Sequence, residues 1–205
     1  MLSSYKRAPV HRANKMYFHQ VPASEPVTKD EVKDYMRIRT DDQDDLIDEL
    51  IKDARHIAES FTRRVFMTHQ IRVWLDAVPC EDYIELPRPP LQSITSVKWY
   101  DDDDTETVFS SDNYIVSDER LKGRITLVNG AAWPTGLRRA DGLVVDYKAG
   151  YGDDADDVPE RIKRGIIKIA GSLWTFREDR IVGTISGDVP VSAKAILRQY
   201  RVPML

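Results

Sequence analysis

Between Thr28 and Arg64 apolar side chains recur every three or four residues. From Thr68 they alternate every second residue, and after Asp157 the helical spacing returns. The first period lays an apolar stripe along a helix; the second gives a strand one apolar face. The chain therefore predicts a helical unit interrupted by an inserted β module.

Thr28-Lys29-Asp30-Glu31 is a capping box, which sets Val32, Tyr35 and Met36 on one face of a short first helix. A second start at Thr40–Gln43 has Asp41, Asp42, Asp44 and Asp45 placed near the positive end of a helix dipole. Leu46, Ile47, Leu50, Ile51, Ala54, Ile57, Ala58 and Phe61 then mark the best-determined helix, with Asp48, Lys52, Arg55 and Glu59 on a solvated or subunit-facing side. After the interruption Asp157 is the predicted N-cap, with Pro159 in the first turn and Glu160 at the capping-box position. Ile162, Ile166, Ile169, Ala170, Leu173 and Trp174 form the next stripe. Residues 180–191 carry Gly183, Gly187 and Pro190 and read as a loop. A last short helix starts at Ser192, includes Ile196, Leu197 and Tyr200, and is ended by Pro203.

In the interruption, Ile71, Val73 and Leu75 alternate with Gln70, Arg72 and Trp74 as in a half-buried strand. Tyr83–Leu86, Ile94–Tyr100, Thr107–Phe109, Tyr114–Val116, Gly123–Leu127 and Leu143–Tyr147 complete a set of about six short strands. Pro87-Arg88-Pro89-Pro90 lacks three ladder donors and reads as an extended corner or sheet edge. The predicted class is α+β: a bundle of about four helices carrying a small antiparallel β-sandwich or barrel. The division is an arm at 1–24, the bundle at 25–66 and 157–205, and the β module at 67–156.

Residues 1–24 show neither period. Residues 1–22 hold Lys6, Arg7, Arg12 and Lys15 and no acid, and the arm also carries Tyr5, Met16, Tyr17 and Phe18. It reads either as a disordered arm or as one that orders against a neighbouring subunit; its aromatics favour the second. Over all 205 residues the charge is −4, too small to draw the chain onto nucleic acid or membrane, and 41% of residues are hydrophobic. One cysteine, Cys80, excludes an intrachain disulfide and fits a reducing compartment. No apolar run reaches the roughly 18 residues that span a bilayer, and the basic start lacks the apolar core of a secretory signal. The expectation is a soluble protein made in the cytoplasm, with no membrane partner.

Catalytic constellations are missing. Asp101–Asp104 lacks the glycine and distal glutamate of a calcium loop and reads as a solvated hairpin tip; Asp153, Asp154, Asp156 and Asp157 read as a loop ending in a cap. His11, His19, His56 and His69 have no metal-ligand spacing. Neither a nucleophile elbow nor a phosphate-cradling loop occurs, so no enzyme, cofactor or metal is expected. The basic groups Arg63-Arg64, Arg138-Arg139 and Arg161, Lys163, Arg164, Lys168 alternate with acidic runs, which suits contacts between identical subunits better than a DNA-binding face. Asp41 and Asp45 against Arg161, Arg164 and Lys168 are the candidate complementary faces, with Tyr5, Tyr17 and Phe18 of the arm as further subunit contacts.

Several pieces, in order, resemble a known family. They are Glu25-Pro26-Val27-Thr28, the Ile38…Asp41-Asp42 join, Ala54-Arg55, Thr62-Arg63-Arg64 and Leu86-Pro87-Arg88-Pro89-Pro90-Leu91. Ser93-Ile94-Thr95-Ser96-Val97, Tyr147-Lys148-Ala149-Gly150-Tyr151-Gly152 and Tyr200-Arg201-Val202-Pro203 follow. Together they resemble the head–tail connector family of tailed phages and gene transfer agents, whose members are also called adaptor or head completion proteins. The likeness covers about residues 25 to 203. It implies a structural virion protein that forms a twelve-subunit ring under the portal, joins the DNA-filled head to the tail or a stopper protein, and lets DNA pass without sequence-specific binding. It also implies a C-terminal segment that docks on the portal, here Gln199, Tyr200, Arg201, Val202, Pro203, Met204 and Leu205. Where many relatives have a glycine closing the long helix this chain has Arg63, so the helix is expected to run further. The alternative is a free-standing module whose β part binds a carbohydrate or protein on a platform of Trp74, Trp99 and Trp133, although packing is the expectation for at least two of them.

Overall fold

The computed structural model describes residues 15–19, 22–118, 121–175 and 189–203. They fall into two compact units. One holds His69–Ala149 with the N-terminal strand; the other holds Pro22–Thr68 and the chain from Gly150 onward.

The helical unit contains α1 (Lys29–Met36), α2 (Asp44–Thr62), α3 (Glu160–Thr175) and α4 (Val191–Leu197). The predicted stripes meet: Ile47, Ile51, Ala54 and Ala58 of α2 share one core with Ile162, Ile166, Ile169 and Ala170 of α3 and with Ala193 and Leu197 of α4. Gly165 lets α3 and α4 approach closely, since a Cβ there would lie 2.7 Å from Leu197 Cδ2. The capping box of α1 forms as read: Glu31 N donates to Thr28 Oγ1 and Thr28 N donates to the Glu31 carboxylate.

Three expectations shift. First, α2 does not run on: Arg63 adopts the left-handed conformation (φ 59°, ψ 32°) and stops it at Thr62. That conformation costs a side-chain-bearing residue about 1–2 kcal/mol. Compensation comes from far along the chain: Arg63 Nη1 donates to Val202 O at 3.1 Å, and Val202 N donates to Thr62 O at 2.9 Å. Second, Asp157 does not cap α3. Its carboxylate accepts from Asp154 N at 3.2 Å inside a short 3-10 turn (Ala155–Asp157), and Pro159 O receives Ile162 N at 2.8 Å as the helix begins. Third, Arg55 and Glu59 are not solvated but buried, at 1% and 6% exposure.

Among the described residues the β unit has eight strands in two antiparallel sheets and no closed barrel. The larger sheet runs β1 (Lys15–Phe18), β2 (His69–Leu75), β8 (Leu143–Ala149), β4 (Leu91–Tyr100), β5 (Glu106–Val108). The smaller runs β3 (Tyr83–Glu85), β7 (Arg124–Leu127), β6 (Tyr114–Ser117). The proline run Pro87–Pro90 is the corner between β3 and β4, which lie in different sheets, and Tyr147 Oη donates to Pro87 O at 2.7 Å. Burial pushes the Tyr147 hydroxyl's pKa far up, so it remains a donor. Asp101–Asp104 makes the β4–β5 turn, where Asp101 Oδ1 accepts from the Asp103 and Thr105 amides. The strand β1 is the element the periodicity missed: residues 15–18 of the supposed arm pair antiparallel with β2, Lys15 opposite Trp74 and Phe18 opposite Ile71.

Candidate functional site

The candidate contact residues that the structure describes can each be placed by their exposure and by their partners within the chain. The acids that open α2 are partly committed within the chain. Lys33 Nζ on α1 meets Asp41 and, at 2.8 Å, Asp44; Lys29 Nζ meets Asp48 at 2.9 Å. Hydrogen bonds donated to Asp41 and Asp44 hold the Lys33 ammonium's pKa above its ordinary value, while Lys33 holds the Asp44 carboxyl below its own. This cross-link fixes the α1–α2 join. Asp45, by contrast, is exposed and takes part in none of these pairs.

A carboxyl whose pKa is lowered by folding stabilises above its ordinary range and loses that contribution as pH falls. Glu85 behaves likewise: burial alone would raise it, but bonds from Arg124 and Lys122 leave it lowered. Stability should therefore be level near neutrality and decline as pH falls below about 4. In pH-resolved denaturant titrations, Asp44→Asn and Glu85→Gln should each make the acid limb shallower; an unchanged limb in both would remove these groups as its cause.

On α3, Arg161 donates to Gln199 Oε1 at 3.2 Å, Lys163 pairs with Glu160 at 3.1 Å, and Lys168 lies 6.0 Å from the Tyr35 ring centre. Arg164 is the open cation, its side chain 70% exposed and only loosely paired with Glu160 at 3.8 Å. Of the described charged residues expected to face a neighbour, Asp45 and Arg164 are both exposed and, at most, loosely paired within the chain.

The C-terminal segment folds back on its own unit. Gln199 and Tyr200 lie in a 3-10 turn, Arg64 Nε donates to Tyr200 O at 2.6 Å, and Arg201 stands 5.3 Å from the Phe61 ring. Val202 is buried, and Pro203 is exposed. Met204, Leu205 and Tyr5 lie outside the described residues. The segment is anchored at the end of α2 as far as Val202. Tyr17 and Phe18 sit on β1, at 55% and 38% exposure.

Sequence reasoning missed the solvent face of the larger sheet. There Arg72 makes a two-pronged bond to Asp146 (2.6 and 2.9 Å), Ser96 joins it, and Lys98 and Tyr100 both bond Glu106. Trp74 lies on this face with Lys15 Nζ and Arg72 at 5.1 and 5.9 Å from its ring. Trp74 pairs with Val144 and Trp99 with Leu143; those β8 residues are adjacent, so the two indoles project from opposite faces. Trp133 donates to Glu81 O at 3.0 Å and packs on Phe109. All three tryptophans are half-buried, and they make no common platform. Among the described residues no three His, Cys, Asp or Glu side chains converge as metal ligands, and no helix is long and apolar enough to cross a membrane.

Comparison with known proteins agrees with this architecture. Residues 25–169 match the family model for the head completion protein. Among solved structures, a chain from the neck of an empty gene transfer agent particle, computed with C6 symmetry, superposes with a TM-score of 0.79 at 19% identity, covering 93% of this chain and 97% of that one. A chain from the virion of a native gene transfer agent particle gives 0.75 at 18%, covering 93% and 96%. One from a native neck computed with C12 symmetry gives 0.69 at 19%, covering 92% and 97%. No curated protein sequence matches significantly. With a fold shared along nearly its whole length and a family match across most of it, the chain belongs to the head completion protein family.

Proposed function

We propose that this protein is a head–tail connector subunit. Twelve copies form a ring beneath the portal, join the DNA-filled head to the tail or a stopper protein, and continue the DNA channel without reading sequence. The observation that carries this reading is family membership together with near-complete superposition on neck chains. Twelve copies accord with both the C6 and the C12 symmetry of those necks. Made in the host bacterial cytoplasm, the protein works in the virion at the head–tail interface.

The mechanism is assembly. Weak contacts between neighbours close only when the portal templates them, and the closed ring turns each weak contact into a durable joint. The C-terminal segment reaches the portal from an anchor that the Arg63 and Arg64 bonds hold at a fixed place. Particles made without this protein should accumulate as tailless heads, restored by supplying it in trans; normal tailed particles would overturn the proposal.

Asp45 and Arg164 of adjacent copies are the proposed ionic contact. Exposed pairs contribute only about 0.2–1 kcal/mol each, but a ring repeats the pair at every joint. Asp45→Lys and Arg164→Glu should each weaken ring formation, and the double reversal should recover it, with a deficit that shrinks in high salt. A double variant that assembles no better than either single one eliminates the pair.

A further inference from the structure

Among the described residues the smaller sheet ends on an open edge: β6, Tyr114–Ser117, pairs with β7 on one side only, and the strand itself carries no charge and no proline. Ile115 is 58% and Val116 39% exposed. Uncharged apolar edges are templates for another strand, and proteins normally blunt them with lysine, proline or a bulge. Ladder alternation shows which groups are open: Asn113 O accepts from Val128 N, which assigns Ile115 to the β7 side and leaves the N–H and C=O of Val116 facing outward.

The occupant is indicated by the sequence that precedes β1. Residues 1–14 precede β1 and carry Lys6, Arg7 and Arg12, the apolar Leu2, Tyr5 and Val10, and no acid. Extended, fourteen residues reach about 46 Å. The open edge has an exposed acid beyond each end, Asp112 and Asp118. The nearby bases Lys122 and Arg124 are occupied by Glu85.

We propose that the N-terminal arm of one copy adds as an antiparallel strand to β6 of the adjacent copy. One register satisfies the constraints together. Ala8 opposite Val116 supplies partners for its open N–H and C=O. Pro9 then falls opposite Ile115, a position that asks for no donor across this edge, so its missing N–H costs nothing. Lys6 comes opposite Asp118, and Arg12 is carried toward Asp112. Main-chain bonds give the affinity and the flanking charges give the direction. Each copy gives one arm and receives one at β6, so the contact is head-to-tail and propagates around a ring. This inference rests on the ring reading.

The test uses full chains with Cys80→Ser, assembled on the portal. One population carries only Pro9→Cys and the other only Ile115→Cys, so a disulfide between them forms solely between different copies. The expected result is a covalent dimer on mild oxidation, at least tenfold more abundant than with a Pro9→Cys and Val108→Cys control mixture. Deleting residues 2–13 and replacing Val116→Pro should each raise the concentration for half-assembly about tenfold, and combining them should add nothing. Portal-bound rings with no preferential Ile115 dimer overturn the arm exchange alone. Failure of the unmodified chain to join the portal overturns the ring reading as well.

Discussion

Arg55→Met is expected to lower unfolding stability by about 3–5 kcal/mol, the cost of removing one partner from a buried ion cluster. Arg55 donates to both carboxylate oxygens of Glu25, at 2.7 and 3.2 Å, and to Glu59 at 3.2 Å. Burial by itself would pull the guanidinium's pKa down, yet its bonds to Glu25 and the field of Glu59 leave it raised, so the charge is kept in the interior. Glu59 also accepts Phe66 N at 2.9 Å, which fastens the segment after α2 to the helix. Without Arg55, two carboxylates are stranded around a methionine. Neutralising them as well, in Arg55→Met with Glu25→Gln and Glu59→Gln, should restore much of the loss. Denaturant titration measures both; a loss below about 1 kcal/mol for the single change would mean that the cluster is not a structural centre.

Gly150→Ala is expected to be comparably severe, at about 3 kcal/mol or more, combining backbone strain with a collision. Gly150 has φ +136°, a conformation closed to residues with a side chain, and a Cβ there would lie 2.4 Å from Met67 O and 2.7 Å from Thr68 N. Backbone surrounds it because two segments run side by side: Tyr151 N donates to Phe66 O at 2.8 Å, and Thr68 N donates to Gly152 O at 3.0 Å. Gly130→Ala is the control. Its φ is +87°, but nothing lies within 4 Å of a Cβ, so only the conformational cost of about 1 kcal/mol applies. Equal melting temperatures for the two variants would contradict the close approach at Gly150.

These two sites show where sequence reading reached and where it stopped. The stripes of α2 and α3 were legible because burial there follows the helical period, and most stripe residues share one core, although Leu46 is 37% exposed and, like Leu50, stands outside it. Most strands were legible for the same reason: in β2, His69, Ile71, Val73 and Leu75 are buried in alternation. β1 was not, because an edge strand whose residues are mostly exposed leaves no periodic trace. Arg55 carried the right spacing for a solvated face, and only Glu25, 30 positions earlier, reveals that it is covered. The end of α2 depends on Val202, 139 positions away. Of the proposed surface, the charge clusters were visible as composition. Which charges are already paired within the chain was not: Asp41 and Asp44 find Lys33 across the α1–α2 turn, while Asp45 stays open. Pairing is a property of the fold, and the sequence shows only the candidates.

Family membership and the shared fold make assembly on the portal the central claim. Its most direct test is native mass spectrometry of the purified chain, alone and mixed with the portal protein encoded in the same genome. The expected result is a defined complex with one copy of this chain per portal subunit, closing at twelve. A chain that stays monomeric and ignores the portal under assembly conditions would contradict the account.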